Sequence, residues 1–241
     1  MATRYYVGTS HVRGRLENYA ERFDFAELVV SGQAADKPAS ERTYKRWRKS
    51  VPASFQFAVV AGPALASLEP GGGYTRGVAA LQLAVDALEA RCVVLRTPPS
   101  VRPTGPVRKA LVEFFEAFPR DVTHVVWEPS GLWEIDEALA LGRTHRAVIA
   151  VDPLRDRLGA GQVAYVHLRS LGEQRTLTDT MVRRAQSALS QKREVFVMLD
   201  TTKPVTDRKR WLQTAKSGET LDVGRLVRPR GGLLVTDDEQ E

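Results

Sequence analysis

The side chains in this chain best suited to chemistry sit at the ends of short apolar runs. The first run closes on Thr9 and Ser10, with His11 just beyond; later runs end at Glu27, Arg96, Glu128, Asp152, His167 with Arg169, and Asp200. Arg96 and Arg169 carry planar guanidinium forks that suit a carboxylate or phosphate. Backbone amides around Thr9 and Ser10 add donors to that set, and Asp200 completes it as a further polar group for a ligand. Imidazoles change charge near neutral pH, so His167 is the best single proton carrier, with His11 a weaker one. Glu27, Glu128 and Asp152 are acids or bases whose proton affinities a crowded pocket can push apart. His167 and Arg169 are two apart on one strand and share a face. A structural alternative exists for Arg96, which can pair with Glu27 or Glu128, because buried charges need partners.

Other chemistries find less support. A Ser10, His167 and Asp152 triad lacks a nucleophile-elbow motif. Glu128, Asp152, His167 and Asp200 would make an oxygen-rich cation site, but no His/Asp pair has diagnostic spacing and two arginines oppose a cation, so no metal is assigned. No cofactor motif is found: Gly71-Gly72-Gly73 is followed by no Gly-Lys-Ser/Thr and reads as a flexible loop. The single cysteine, Cys92, opens an apolar run and reads as a buried inert thiol.

Positioning these residues requires strands. The chain has 241 residues, 43% of them hydrophobic and 27% charged, an ordinary composition for a globular protein. Runs at Tyr5–Thr9, Phe25–Val30, Phe55–Val60, Cys92–Arg96, Thr123–Glu128, Arg146–Val151, Val163–Leu168 and Glu194–Leu199 read as strands. Helical stripes such as Leu16/Tyr19/Ala20/Phe23, Val78/Leu81/Val85/Leu88 and Leu111/Phe114/Phe115/Phe118 separate nearly all of them. Strands rich in Val and Ile without polar alternation are buried on both faces, as in parallel sheets covered by helices. The reading is an α/β chain folded as a compact (β/α)8 TIM-type barrel, which collects strand-end residues at one rim. The gap between the sixth and seventh strands, with Pro153, Gly159 and Gly161, is too short for a regular helix, so the sixth helix is reduced to a turn. After the first strand the Gly-x-Gly-x-x-Gly spacing of a doubly wound sheet is missing.

The barrel domain is read over 1–217, with a poorly ordered tail at 218–241 that is basic and then acidic. The formal net charge is +6, but acidic residues are mixed among the basic ones. The densest basic stretch, Arg42, Lys45, Arg46, Arg48 and Lys49, surrounds Tyr44 and Trp47 and reads mostly as the solvated side of a helix. No run approaches the roughly 20 apolar residues of a membrane span, and no secretory h-region precedes the first strand. A cytoplasmic location is expected, and the oligomeric state is open.

The motifs resemble those of the YecE-like family, domain of unknown function seventy-two, over roughly residues 4 to 215. Tyr6-Val7-Gly8-Thr9-Ser10 resembles the family's opening strand. Thr43-Tyr44-Lys45-Arg46-Trp47, followed by Val51-Pro52-Ala53-Ser54-Phe55, resembles its second helix and third strand. Pro98-Pro99-Ser100, Trp127-Glu128-Pro129-Ser130-Gly131-Leu132-Trp133, Val151-Asp152-Pro153-Leu154 and Tyr165-Val166-His167-Leu168-Arg169 follow in order. The resemblance implies a (β/α)8 barrel and no established activity. At the rim this chain departs from the family: His11-Val12 replaces Gly-Trp, Val29 an Asn, Arg96 a Gln and Ser130 an Arg. His167 and Arg169 exchange the order of Arg-Leu-His, and Asp200-Thr201 replaces Asn-Asn.

Three functions follow as expectations. The first is a rim pocket for a small anionic ligand, phosphorylated ones included, with acid/base chemistry. The second is a degenerate, non-catalytic binding or scaffold protein. The third, resting on the net charge and the basic tail, is association with nucleic acid.

Overall fold

A computed structural model describes residues 3–30, 39–69, 71–119, 123–169 and 176–217. The 218–241 tail lies outside the described residues.

Strands and helices alternate along the chain: β1 (Arg4–Gly8), α1 (Leu16–Ala20), β2 (Phe25–Val30), α2 (Glu41–Lys49), β3 (Gln56–Ala61), α3 (Pro63–Ala66), α4 (Gly72–Leu88), β4 (Cys92–Arg96) and α5 (Gly105–Glu116). They continue as β5 (His124–Glu128), α6 (Ile135–Thr144), β6 (Val148–Ile149), β7 (Val163–Arg169), α7 (Asp179–Leu189), β8 (Glu194–Asp200) and α8 (Pro204–Ser217). Every strand pair is parallel. The ladders run β2-β3-β4-β5-β6 and β1-β8-β7. Two seams join them into a ring. At one, the Asp24 amide donates to Val7 O at 3.1 Å. At the other, Val151 bridges Val166, and the His167 amide donates to Val151 O at 3.0 Å. The fold is a (β/α)8 barrel.

Alternation along each strand sorts the side chains into two layers. Tyr6, Phe25, Val60, Val94, Val126, Tyr165, Phe196 and Met198 fill the barrel interior. Their neighbours in sequence face the helices, where Leu81, Leu88, Leu111, Phe114, Phe115 and Trp127 make the outer core. The aromatic stripe of α5 is therefore packing. Cys92 is buried in the interior layer, and burial pushes its thiol well up.

Gly8 is fixed by the first seam. A Cβ at this position would sit 2.2 Å from Phe25 O, a backbone atom that cannot swing aside. The glycine at the end of the first run is thus a demand of β1 against β2.

Several elements differ from the sequence reading. Gly71-Gly72-Gly73 does not remain a loop: α4 begins at Gly72, because the buried Leu81, Val85 and Leu88 anchor a helix that propagates back through poor formers. β6 is shorter than expected: Arg146 takes a left-handed φ of 51° and Ala147 N closes on Gly142 O at 2.8 Å, which is the end of α6 rather than strand. The last helix, α8, is longer than the short one expected. Between β6 and β7 the chain makes turns only, as the short gap required. The basic run on α2 is mostly solvent-facing. Arg48 is the exception: it lies over Phe57 and donates to Phe55 O at 2.8 Å and Pro52 O at 2.5 Å.

Candidate functional site at the carboxyl ends of the strands

Register brings the strand-end charges together. Arg96 on β4 lies opposite Glu128 on β5, and Arg169 on β7 opposite Asp200 on β8. Tyr165, His167 and Arg169 point to one side of β7 by their spacing of two.

One network links them. The side chain of Glu27 is 1% exposed, and its Oε1 accepts from Arg96 at 2.5 Å and from the Tyr165 hydroxyl. Arg96 Nε donates to Glu128 Oε2 at 2.6 Å. Glu128 Oε1 faces Arg169, which donates to it, and His167 Nδ1 at 3.3 Å. Two carboxylates are thus balanced by two guanidinium groups. Burial works to raise the Glu128 pKa, but the His167 hydrogen bond and the Arg96 charge outweigh it and hold the carboxyl well below its usual range. Burial works to lower the Arg96 pKa, and Glu27 and Glu128 more than reverse it. Burial, then Glu27, push the Tyr165 phenol well up.

Arg96 is therefore not an open anion clamp. Its guanidinium is spent between two carboxylates, as the structural alternative required. Thr9 is spent as well. Its amide donates to the Tyr19 hydroxyl at 2.9 Å, and its Oγ1 to His11 O at 2.9 Å. The Tyr19 phenol, pushed up to about 12 by burial, donates in turn to Phe25 O at 2.9 Å. Ser10 is half-buried and His11 exposed. Neither lines the cleft described next.

That cleft, about 220 Å³, is walled by Glu128, Asp152, Arg155, His167 and Arg169 over Trp133. Four residues read from the sequence are thus assembled in one place, and Arg155 and Trp133 join them. Asp152 is half-buried, accepts from Leu154 N at 2.9 Å, and has its carboxyl pKa raised by that burial. Arg169 has half its side chain exposed. His167 is buried, and its Nε2 makes no hydrogen bond, lying 3.9 Å from Asp200 Oδ2. Its Nδ1 is contested: Glu128 needs a proton on it at 3.3 Å, whereas Arg169 at 3.1 Å needs its lone pair. Only one can hold at a time, and the choice sets whether Nε2 carries the proton or the lone pair. Among the described residues no group of three or more His, Cys, Asp or Glu is placed to hold a metal ion.

Tyr165 was not singled out from the sequence, although its place two residues before His167 put it on the same face. Arg155 had no comparable signal, because it reaches the cleft through the turn after β6. Apart from Glu128, the Trp127 to Trp133 motif ties two loops together. Gly131, at φ 73°, leaves room for Pro99, whose carbonyl would be 2.5 Å from a Cβ. Trp127 Nε1 donates to Thr97 Oγ1 at 3.2 Å, Trp133 Nε1 to Val101 O at 3.1 Å, and Ser130 to Thr97 O. These bonds clamp the loop after β4 onto the loop after β5.

Fold and rim together define a (β/α)8 barrel with an ionic network at the carboxyl ends of its strands. A family model described as "Protein of unknown function DUF72" matches residues 2–217, and the chain belongs to that family. A DUF72 family protein from Enterococcus faecalis V583 is similar in structure, with a TM-score of 0.68 at 12% identity, covering 88% of this chain and 94% of that one. Another from Thermotoga maritima MSB8 has a TM-score of 0.62 at 14% identity over 88% and 98% of the two chains. A D-tagatose 3-epimerase-like protein has a TM-score of 0.62 at 14% identity over 88% and 97%. None of the curated proteins compared matches the chain. No helix among the described residues is long and apolar enough to cross a membrane.

Proposed function

We propose that the chain binds a small anionic ligand in the cleft beside β7 and moves a proton there. The observation that carries this reading is His167, whose Nδ1 lies within reach of both Glu128 and Arg169 while its buried Nε2 makes no hydrogen bond. A base oriented by a second group is the arrangement that proton transfer requires. Arg169, exposed and tied through one nitrogen, is the anion contact, and Arg155, which also lines the cleft, is a second. An anion that draws Arg169 off Nδ1 leaves that nitrogen to donate to Glu128. Nε2 then presents a lone pair and acts as the base. Asp152, which burial makes readier to hold a proton, is the partner acid. The cleft of about 220 Å³ lies below the roughly 300–1,000 Å³ of drug-sized sites, which favours a short hydroxy acid or phosphate ester. That the barrel is shared with a D-tagatose 3-epimerase-like protein is in keeping with a small hydroxylated substrate.

The test is ligand-induced stabilisation across short hydroxy acids, sugar phosphates and inorganic phosphate, run in parallel on Arg169→Ala. The reading expects at least one stabilising compound whose effect the variant abolishes; no compound dependent on Arg169 overturns it. A second reading, a non-catalytic binding or scaffold barrel, is favoured by the mutual pairing of Arg96, Glu27 and Glu128. In its scaffold form it predicts no such compound.

A further inference from the structure

The second seam is joined at one end only. Below the Val151–Val166 bridge, β6 and β7 share no rung, so their amino-terminal halves part. No helix covers the connection between them. The result is a wedge of about 340 Å³ at the amino-terminal end of the strands, opposite to the cleft of His167. Its inner wall is apolar, from Ile149, Leu139 and Leu158, and its charged side chains are all cationic: Arg143, Arg146 and Lys192. No carboxylate is among the described residues that line it. His124 also borders it, with its Nε2 turned to Glu194 at 3.1 Å.

Lys192 is buried, 9% exposed, and its Nζ donates to Gly159 O at 2.5 Å and Gly161 O at 2.8 Å. Those bonds hold the far wall of the wedge in place. An ammonium has three donors, so one is left over. Arg146 stands in left-handed backbone, with φ 51°, at the mouth of the wedge. A cavity whose described charged side chains are cationic and whose inner wall is apolar is complementary to an anion that has an apolar body.

We propose that this wedge is a second ligand site, for a small amphiphilic anion in which an aromatic or aliphatic body fills the split seam and a carboxylate or phosphate meets Arg143, Arg146 and Lys192. The probe is phenyl phosphate, with benzyl alcohol and inorganic phosphate as controls. Titration is followed by calorimetry and by the backbone amide signals of Ala160 and Gly161. The expected result is saturable binding that moves those amides and weakens at least tenfold in R143Q/R146Q. Both arginines are exposed, so the variant keeps the fold; the two single variants, each weakening binding, give the same reading separately. The movement of the Ala160 and Gly161 amides is expected to be unchanged in Arg169→Ala, which separates this site from the one beside β7. Three results would overturn the proposal: no saturable movement of those amides, the same movement in R143Q/R146Q, or its loss in Arg169→Ala. Inorganic phosphate or benzyl alcohol moving the Ala160 and Gly161 amides at as low a concentration as phenyl phosphate would overturn the amphiphilic assignment.

Discussion

Replacing Arg96 with methionine tests whether the rim network holds the barrel together. The substitution keeps the length of the apolar stem and removes the one group among the described residues that touches both Glu27 and Glu128, whose side chains are 1% and 12% exposed. Removing one partner of a buried ionic pair costs about 3–5 kcal/mol, because a charge is left uncompensated. Against a total stability of about 5–15 kcal/mol, that is a large fraction. For a chain of this size it corresponds to a fall in Tm of roughly 6–20 °C. The assay is urea denaturation, with the midpoint falling and the slope unchanged. The stranded carboxylates are the cause, so adding Glu27→Gln and Glu128→Gln to Arg96→Met recovers more than half the loss. A cost below about 1 kcal/mol, the range of exposed pairs, would refute the reasoning. So would a triple variant no more stable than the single one.

Three further outcomes are expected. Gly8→Ala drives a Cβ against Phe25 O, so it costs at least the roughly 1–3 kcal/mol of an overpacked core; refolding yield and urea midpoint measure it. Tyr165→Phe removes a donor to buried Glu27 at about 1–3 kcal/mol, read in the same titration. The depressed Glu128 pKa means the unfolded chain takes up the proton first, so its contribution is full above the ordinary value of 4.5 and is lost as pH falls below it. Glu194, lowered chiefly by the His124 hydrogen bond, acts with the same sign at the other end of the barrel. Glu128→Gln should flatten the acid limb of stability against pH.

The strand ends were legible in the sequence because an apolar run that stops on a charge marks both a strand and its exit from the core. The barrel followed from eight such runs with helices between them. Pairing was not legible. Arg96 meets Glu128 because β4 and β5 align them, and no local pattern carries that register. The left-handed turn at Arg146, which trims β6, is likewise set by how α6 ends. Gly8 was legible only as part of the opening strand's motif, whereas the contact that demands it comes from β2, seventeen positions along at Phe25. Asp152 and Arg155 show the same limit: the first lies on a run, the second reaches the cleft only through the turn that follows.

The central claim is that an anion at Arg169 resets His167. Nitrogen-15 NMR of the histidine side chains, with and without inorganic phosphate or glycerol 3-phosphate, reads it directly. The account predicts that the bound anion moves the proton of His167 to Nδ1, leaves a lone pair on Nε2, and does not disturb His124. An unchanged His167 in the presence of a compound that stabilises the protein through Arg169 would contradict it.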